Sequence, residues 1–123
     1  MSRPERRAAP RAMRQIPLTL SHDSKEIKTQ THNMSTSGAY CTISRFIPLM
    51  TKMNIRFEIP GESRHAWIHC VGVVVRIDPP QEVAGRRAYD VAIFFSDVPE
   101  RDRHRLAQYV QHDLPTSPPA GSR

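Results

Sequence analysis

Apolar and polar residues alternate with a period of two along most of this chain, and that period is the signature of strands with one face buried. Ile16, Leu18 and Leu20 alternate with Pro17 and Thr19, which predicts a strand entering the fold at about residue 15. A more polar stretch, roughly Lys25 to Thr31, predicts a partly exposed second strand, with the His22-Asp23-Ser24 cluster supplying the turn between them. Ala39, Cys41 and Ile43 share one face of a third strand, and Tyr40, Thr42 and Ser44 share the other. Met53, Ile55, Phe57 and Ile59 alternate with Asn54, Arg56 and Glu58 and place the odd-numbered face of a fourth strand in the core. Residues 65–78, HAWIHCVGVVVRID, follow a Pro60-Gly61-Glu62 turn and exceed the usual strand length, so a bend or bulge is expected at Gly72. Pro79 and Pro80 end that segment, and a last strand from Tyr89 to Phe95 follows the Gly85-Arg86-Arg87 turn. Phe57, Trp67, Tyr89 and Phe95 occupy odd positions and are expected inside, with Tyr40 and Phe94 outside.

The pattern changes once, near Asp97. Asp97 and Glu100 are spaced as a capping-box pair, Pro99 falls in the first turn, and Leu106, Tyr109 and Val110 form an apolar stripe, so a helix is predicted from about Asp97. Six or so short strands followed by one helix predict a mainly all-β domain, an antiparallel barrel or sandwich. The barrel is preferred because closure removes the exposed edges that short strands otherwise leave. The chain thus divides into a basic arm over residues 1–14, a barrel with its terminal helix over 15–113, and a flexible tail over 114–123.

Charge adds a second theme. The chain has 123 residues and a formal charge of +6, and the arm, MSRPERRAAPRAMR, carries Arg3, Arg6, Arg7, Arg11 and Arg14 against Glu5 alone. An arm of this kind attracts phosphates, whether of a nucleotide, a nucleic acid or an anionic lipid. No apolar run approaches the roughly 20 residues that cross a bilayer and none near the start resembles a secretory signal, so a cytoplasmic location is expected. Cys41 and Cys70 both fall in strand-like stretches and are expected as buried, reduced thiols.

Catalytic and metal chemistry find little support. His65 and His69 are four apart, which in a strand separates them by about 13 Å, too far for one metal ion. No nucleophile elbow, Walker loop or GxGxxG fingerprint is present, so neither an enzyme nor a cofactor is expected. Two motifs remain. Arg7-Ala8-Ala9-Pro10-Arg11 presents two guanidiniums four residues apart on a chain that Pro10 keeps from turning helical. Each guanidinium forks onto a phosphate, grips the O6/N7 edge of a guanine or stacks on its ring. In the polar run Asn33-Met34-Ser35-Thr36-Ser37-Gly38, Asn33 supplies a donor and an acceptor, Ser35 a hydroxyl, and Gly38 room for close backbone approach or a positive φ. These are the parts of a guanine-nucleotide site.

With RAAPR at residues 7–11 and NMSTSG at 33–38, the chain resembles the PilZ domain family of bacterial cyclic di-GMP receptors, which carries RxxxR before the first strand and [D/N]xSxxG some twenty-odd residues later. The resemblance covers roughly residues 4–112 and implies a six-stranded antiparallel β-barrel with a C-terminal α-helix. It also implies that Arg7 and Arg11 hold guanine and phosphate groups, that Asn33, Ser35 and Gly38 line the opposite wall, and that Arg6 adds a further contact. The implied function is a receptor without catalysis that changes conformation as the arm closes over cyclic di-GMP and so signals to a protein partner. Asn33 stands where the family more often has Asp, and Lys52 and Ala92 stand where it often has Gly. The alternative is a nucleic-acid-binding barrel with the basic arm on the phosphate backbone. Such barrels need stacking aromatics on an exposed face, and Tyr40 and Phe94 are the outward candidates, too scattered in sequence to predict a platform.

Overall fold

A computed structural model describes residues 15–59 and 66–112. Six strands run in the order β1 (Pro17–His22), β2 (Lys25–Met34), β3 (Gly38–Ile43), β4 (Lys52–Ile59), β5 (Ala66–Asp78) and β6 (Tyr89–Asp97), and one helix follows, α1 (Glu100–His112). The strands close into a barrel in the spatial order β1, β2, β3, β6, β5, β4, every neighbouring pair antiparallel. Closure gives every strand a hydrogen-bonded neighbour on both sides.

The inward positions are those the alternation predicts for most strands. Leu18 and Leu20, Ala39, Cys41 and Ile43, Met53, Ile55, Phe57 and Ile59, and Tyr89, Val91, Ile93 and Phe95 are all buried. At the centre Phe57 and Phe95 stack, with ring centroids 6.2 Å apart. The first hairpin turns as predicted: Asp23 and Ser24 both adopt positive φ, 49° and 65°, the geometry that lets a two-residue turn follow the twist of its strands.

Trp67 departs from expectation. It is half exposed, and Ile68, Cys70, Gly72, Val74 and Ile77 are the residues of β5 that are buried. The register explains the reversal: Phe57 pairs with Ile68 and Glu58 with Trp67, and directly opposite residues in an antiparallel pair share a face. Because Phe57 points in, Ile68 must as well, and Trp67 goes out with Glu58.

The bulge expected at Gly72 is present as a register shift between Val71 and Gly72 against β6, and a second shift follows between Val74 and Arg76. Gly72 is needed for space: a Cβ there would lie 2.4 Å from Ile55 Cδ1 and 2.7 Å from Ile93 Cγ2, inside the barrel. The second shift turns both Val75 and Arg76 outward before Ile77 returns to the core.

The helix also differs at its start. Asp97 is the last residue of β6 and α1 begins at Glu100, so the Asp97–Glu100 capping box does not form. The first turn is instead closed by Arg103 N donating to Pro99 O at 2.8 Å, with the acidic Glu100 and Asp102 at the positive end of the helix dipole. The predicted stripe of Leu106, Tyr109 and Val110 is buried with Val98 in the core. Asp102 Oδ2 accepts from the His69 amide at 3.4 Å and joins the helix start to β5.

Both cysteines are free and buried. Burial, with the Asp90 charge added, pushes the Cys41 thiol up to about 12. Burial, with Asp102 and then Asp97, pushes Cys70 up to about 12 as well. Both are therefore protonated thiols over the whole neutral range.

Candidate ligand-binding site

The polar run NMSTSG is the β2–β3 hairpin itself. β2 runs on through Asn33 and Met34, three residues past the predicted end, and β3 begins at Gly38. A register shift between Thr31 and Asn33 breaks the alternation, so that His32 is exposed and Asn33 partly exposed in succession while Thr31 and Met34 are buried. The shift brings Asn33 to the outside of the barrel.

Ser35 and Gly38 close the hairpin. The Ser35 amide donates to Gly38 O at 2.9 Å, and the Ser37 amide donates to Ser35 Oγ at 3.1 Å. Ser35 is wholly buried, so its hydroxyl acts on the loop from beneath, while Ser37 is exposed. At Gly38, the requirement is close approach rather than positive φ. A Cβ there would sit 2.2 Å from the Ile93 carbonyl oxygen, because β6 passes directly against the hairpin and the Phe95 amide donates to Ser37 O at 2.8 Å. The three motif residues therefore have different placements: Asn33 on the outer wall, Ser35 beneath the turn, and Gly38 where the turn meets β6.

The predicted cations Arg6, Arg7 and Arg11 lie outside the described residues. The point where the chain leaves them is described. Ile16 N donates to Thr31 Oγ1 at 3.0 Å, and Thr31 N donates back to Ile16 O at 2.9 Å, both groups buried. Thr31 is two residues before Asn33, so the start of the barrel is clamped beside the motif. Thr31 carried no signal of this role in the sequence, since a threonine in a polar strand is ordinary.

Outward from the hairpin, the pairing aligns Asn33 with Tyr40, Tyr40 with Ala92, and Ala92 with Arg76, one row across β2, β3, β6 and β5. One step further along, Thr42 Oγ1 donates to Asp90 Oδ1 at 2.7 Å and accepts from His32 Nε2 at 2.7 Å. That pair of bonds directs the His32 ring along β3, away from the turn. An open groove on another flank, lined by Ser21, Asn54, Arg56, His69 and Asp97, includes none of Asn33, Ser35 and Gly38, the motif residues among those described. Among the described residues, no group of three or more His, Cys, Asp or Glu side chains is arranged to hold a metal ion.

Comparison with protein families matches the PilZ domain over residues 5–112. The chain belongs to the PilZ domain family. Solved structures agree on the fold of this PilZ domain. The Bacillus subtilis inhibitor of motility, MotI/DgrA, superposes with a TM-score of 0.75 at 20% identity, covering 91% of this chain and 53% of that one. The chain thus spans about half the length of the Bacillus protein. The PilZ domain of YcgR from Escherichia coli, solved with cyclic di-GMP, superposes with a TM-score of 0.63 at 11% identity, covering 88% of this chain and 91% of that domain. No curated protein matches the sequence. Among the described residues, no helix is long and apolar enough to cross a membrane.

Proposed function

We propose that this PilZ domain is a cytoplasmic receptor for cyclic di-GMP, held between the RxxxR arm and the β2–β3 hairpin. Arg7 and Arg11 take guanine and phosphate groups, with Arg6 as a further contact, and Asn33, Ser35 and Gly38 form the facing wall. Asn33 reaches the ligand with its side chain, while Ser35 and Gly38 act by holding the hairpin. The observation that supports this reading most is the pair of bonds between Ile16 and Thr31, which starts the barrel two residues from Asn33. Arg11 is five residues before Ile16, a span of at most about 18 Å, so its guanidinium is tethered within reach of the motif. Membership of the PilZ family and the full presence of both motifs point the same way.

Binding draws the arm onto the barrel and changes the surface that a protein partner meets, with no chemical step on the ligand. Charge-assisted hydrogen bonds contribute roughly 1.5–3 kcal/mol each, so losing Arg11 costs about tenfold or more in affinity. Calorimetric titration of cyclic di-GMP into the full chain and into Arg11→Ala tests this. Saturable binding by the wild type, weakened at least tenfold in the variant, is the expected result.

A further inference from the structure

The outer wall of the barrel carries a slot that neither motif includes. Tyr40, Ala92 and Arg76 are consecutive members of one cross-strand row, on β3, β6 and β5. Outward side chains stand roughly perpendicular to a sheet, so a large planar group rises on each side of a small one. Tyr40 is 38% exposed and Arg76 is exposed, while Ala92 between them offers only a methyl group. Phe94, 48% exposed, pairs with Gly38 and stands two residues along β6 from Ala92, which makes it the diagonal neighbour of Tyr40. Diagonal neighbours about 7–8 Å apart are within reach of aromatic rings. The two outward aromatics that look scattered in sequence are therefore diagonal neighbours at one end of the slot.

The dimensions suit one ring system. Two strand spacings separate Tyr40 from Arg76 by about 9–10 Å. A base sandwiched between two planar groups at van der Waals contact needs about 7–8 Å. Arg76 makes no ion pair or hydrogen bond to any described residue, so its guanidinium is available to stack. It reaches this face only because of the second β5 bulge, which turns Val75 and Arg76 outward together. The slot also opens beside Asn33, the next member of the row, and within one residue step of the hairpin.

We infer that one purine of the bound dinucleotide stands in this slot, sandwiched between the Tyr40 ring and the Arg76 guanidinium over Ala92, with Phe94 closing the end nearest the hairpin. The inference rests on the reading of the chain as a cyclic di-GMP receptor and extends its site across β6 to β5. Stacking needs a plane as well as a charge, and lysine has no plane, so Arg76→Lys is the informative change. Ala92→Leu fills the slot without altering any charge.

The test is titration of cyclic di-GMP into the full chain and into Tyr40→Phe, Tyr40→Ala, Arg76→Lys and Ala92→Leu, each first shown to melt cooperatively. All three positions lie on the outer face, and Tyr40→Phe and Arg76→Lys keep the strand's character. The expected pattern is wild-type affinity within twofold for Tyr40→Phe and a loss of about tenfold or more for the other three. If the wild type binds and Tyr40→Ala or Arg76→Lys binds as well as it does, the slot is overturned while the receptor reading stands. If the wild type does not bind cyclic di-GMP, both fall. A single-stranded oligonucleotide that binds more tightly than the dinucleotide, with steep weakening by salt and loss in Tyr40→Ala, assigns the aromatics to nucleic acid and also overturns the slot.

Discussion

Gly38 illustrates how much one residue carries here. The motif reading allowed it two roles, and the carbonyl of Ile93 at 2.2 Å from a would-be Cβ selects the steric one. The clash is with backbone on a neighbouring strand, so it is not relieved by a side-chain rotation. Gly38→Ala is expected to destabilise the domain by about 1–3 kcal/mol, the usual cost of overpacking, with a lower thermal midpoint as the readout. Ser35 shows the opposite shift in meaning. Its place in the motif was legible, yet its burial was not, because a serine in a polar run looks solvent-facing until the hairpin places it underneath. Thr31 was invisible as a clamp, since its partner Ile16 is fifteen positions away and no local pattern links them.

Strands were legible where alternation was unbroken and misread where a bulge or a neighbour's register intervened. β1, β3, β4 and β6 point their apolar faces as the period predicts. The end of β2 and the run of β5 contain register shifts, and periodicity alone cannot say where an extra residue is inserted. Trp67 failed for a related reason: its facing is inherited from Phe57 through the β4–β5 pairing. Trp67 is the only tryptophan, so fluorescence reads its position directly. The native chain is expected to show the emission of a solvent-facing indole that acrylamide quenches readily, with little further change on unfolding. A blue-shifted, protected emission that moves on unfolding would place the ring inside and contradict the register. The helix start was misplaced by three residues because β6 extends through Asp97 and uses that residue as strand.

At the scale of the whole molecule, closure of the barrel puts Cys41 and Cys70 inside, and their protons couple to folding. Both folded thiols titrate near 12, above the ordinary thiol value of about 8.5 that the unfolded chain adopts. A raised folded value keeps the proton in the native state, so this contribution is whole below about pH 8.5 and is lost as pH rises toward 12. Stability is therefore expected to fall across that alkaline interval in denaturant melts, less steeply when both cysteines are replaced by alanine in a variant that still folds. Thiol reagents at pH 8 are expected to leave the native chain unmodified and to react once denaturant unfolds it.

The same closure brings the start of β1, the β2–β3 hairpin and the β6 wall together, although the sequence separates them widely. The two motifs were readable as a pair from their types and spacing, and the Ile16–Thr31 bonds place the start of the barrel two residues from Asn33. The central claim is that arm and hairpin hold one ligand. Calorimetric titration of cyclic di-GMP into the wild type, Arg11→Ala and Asn33→Ala tests it most directly. Saturable wild-type binding is predicted, with a loss of tenfold or more for Arg11→Ala and a clear loss for Asn33→Ala. No binding by the wild type, or equal binding by all three chains, would contradict it.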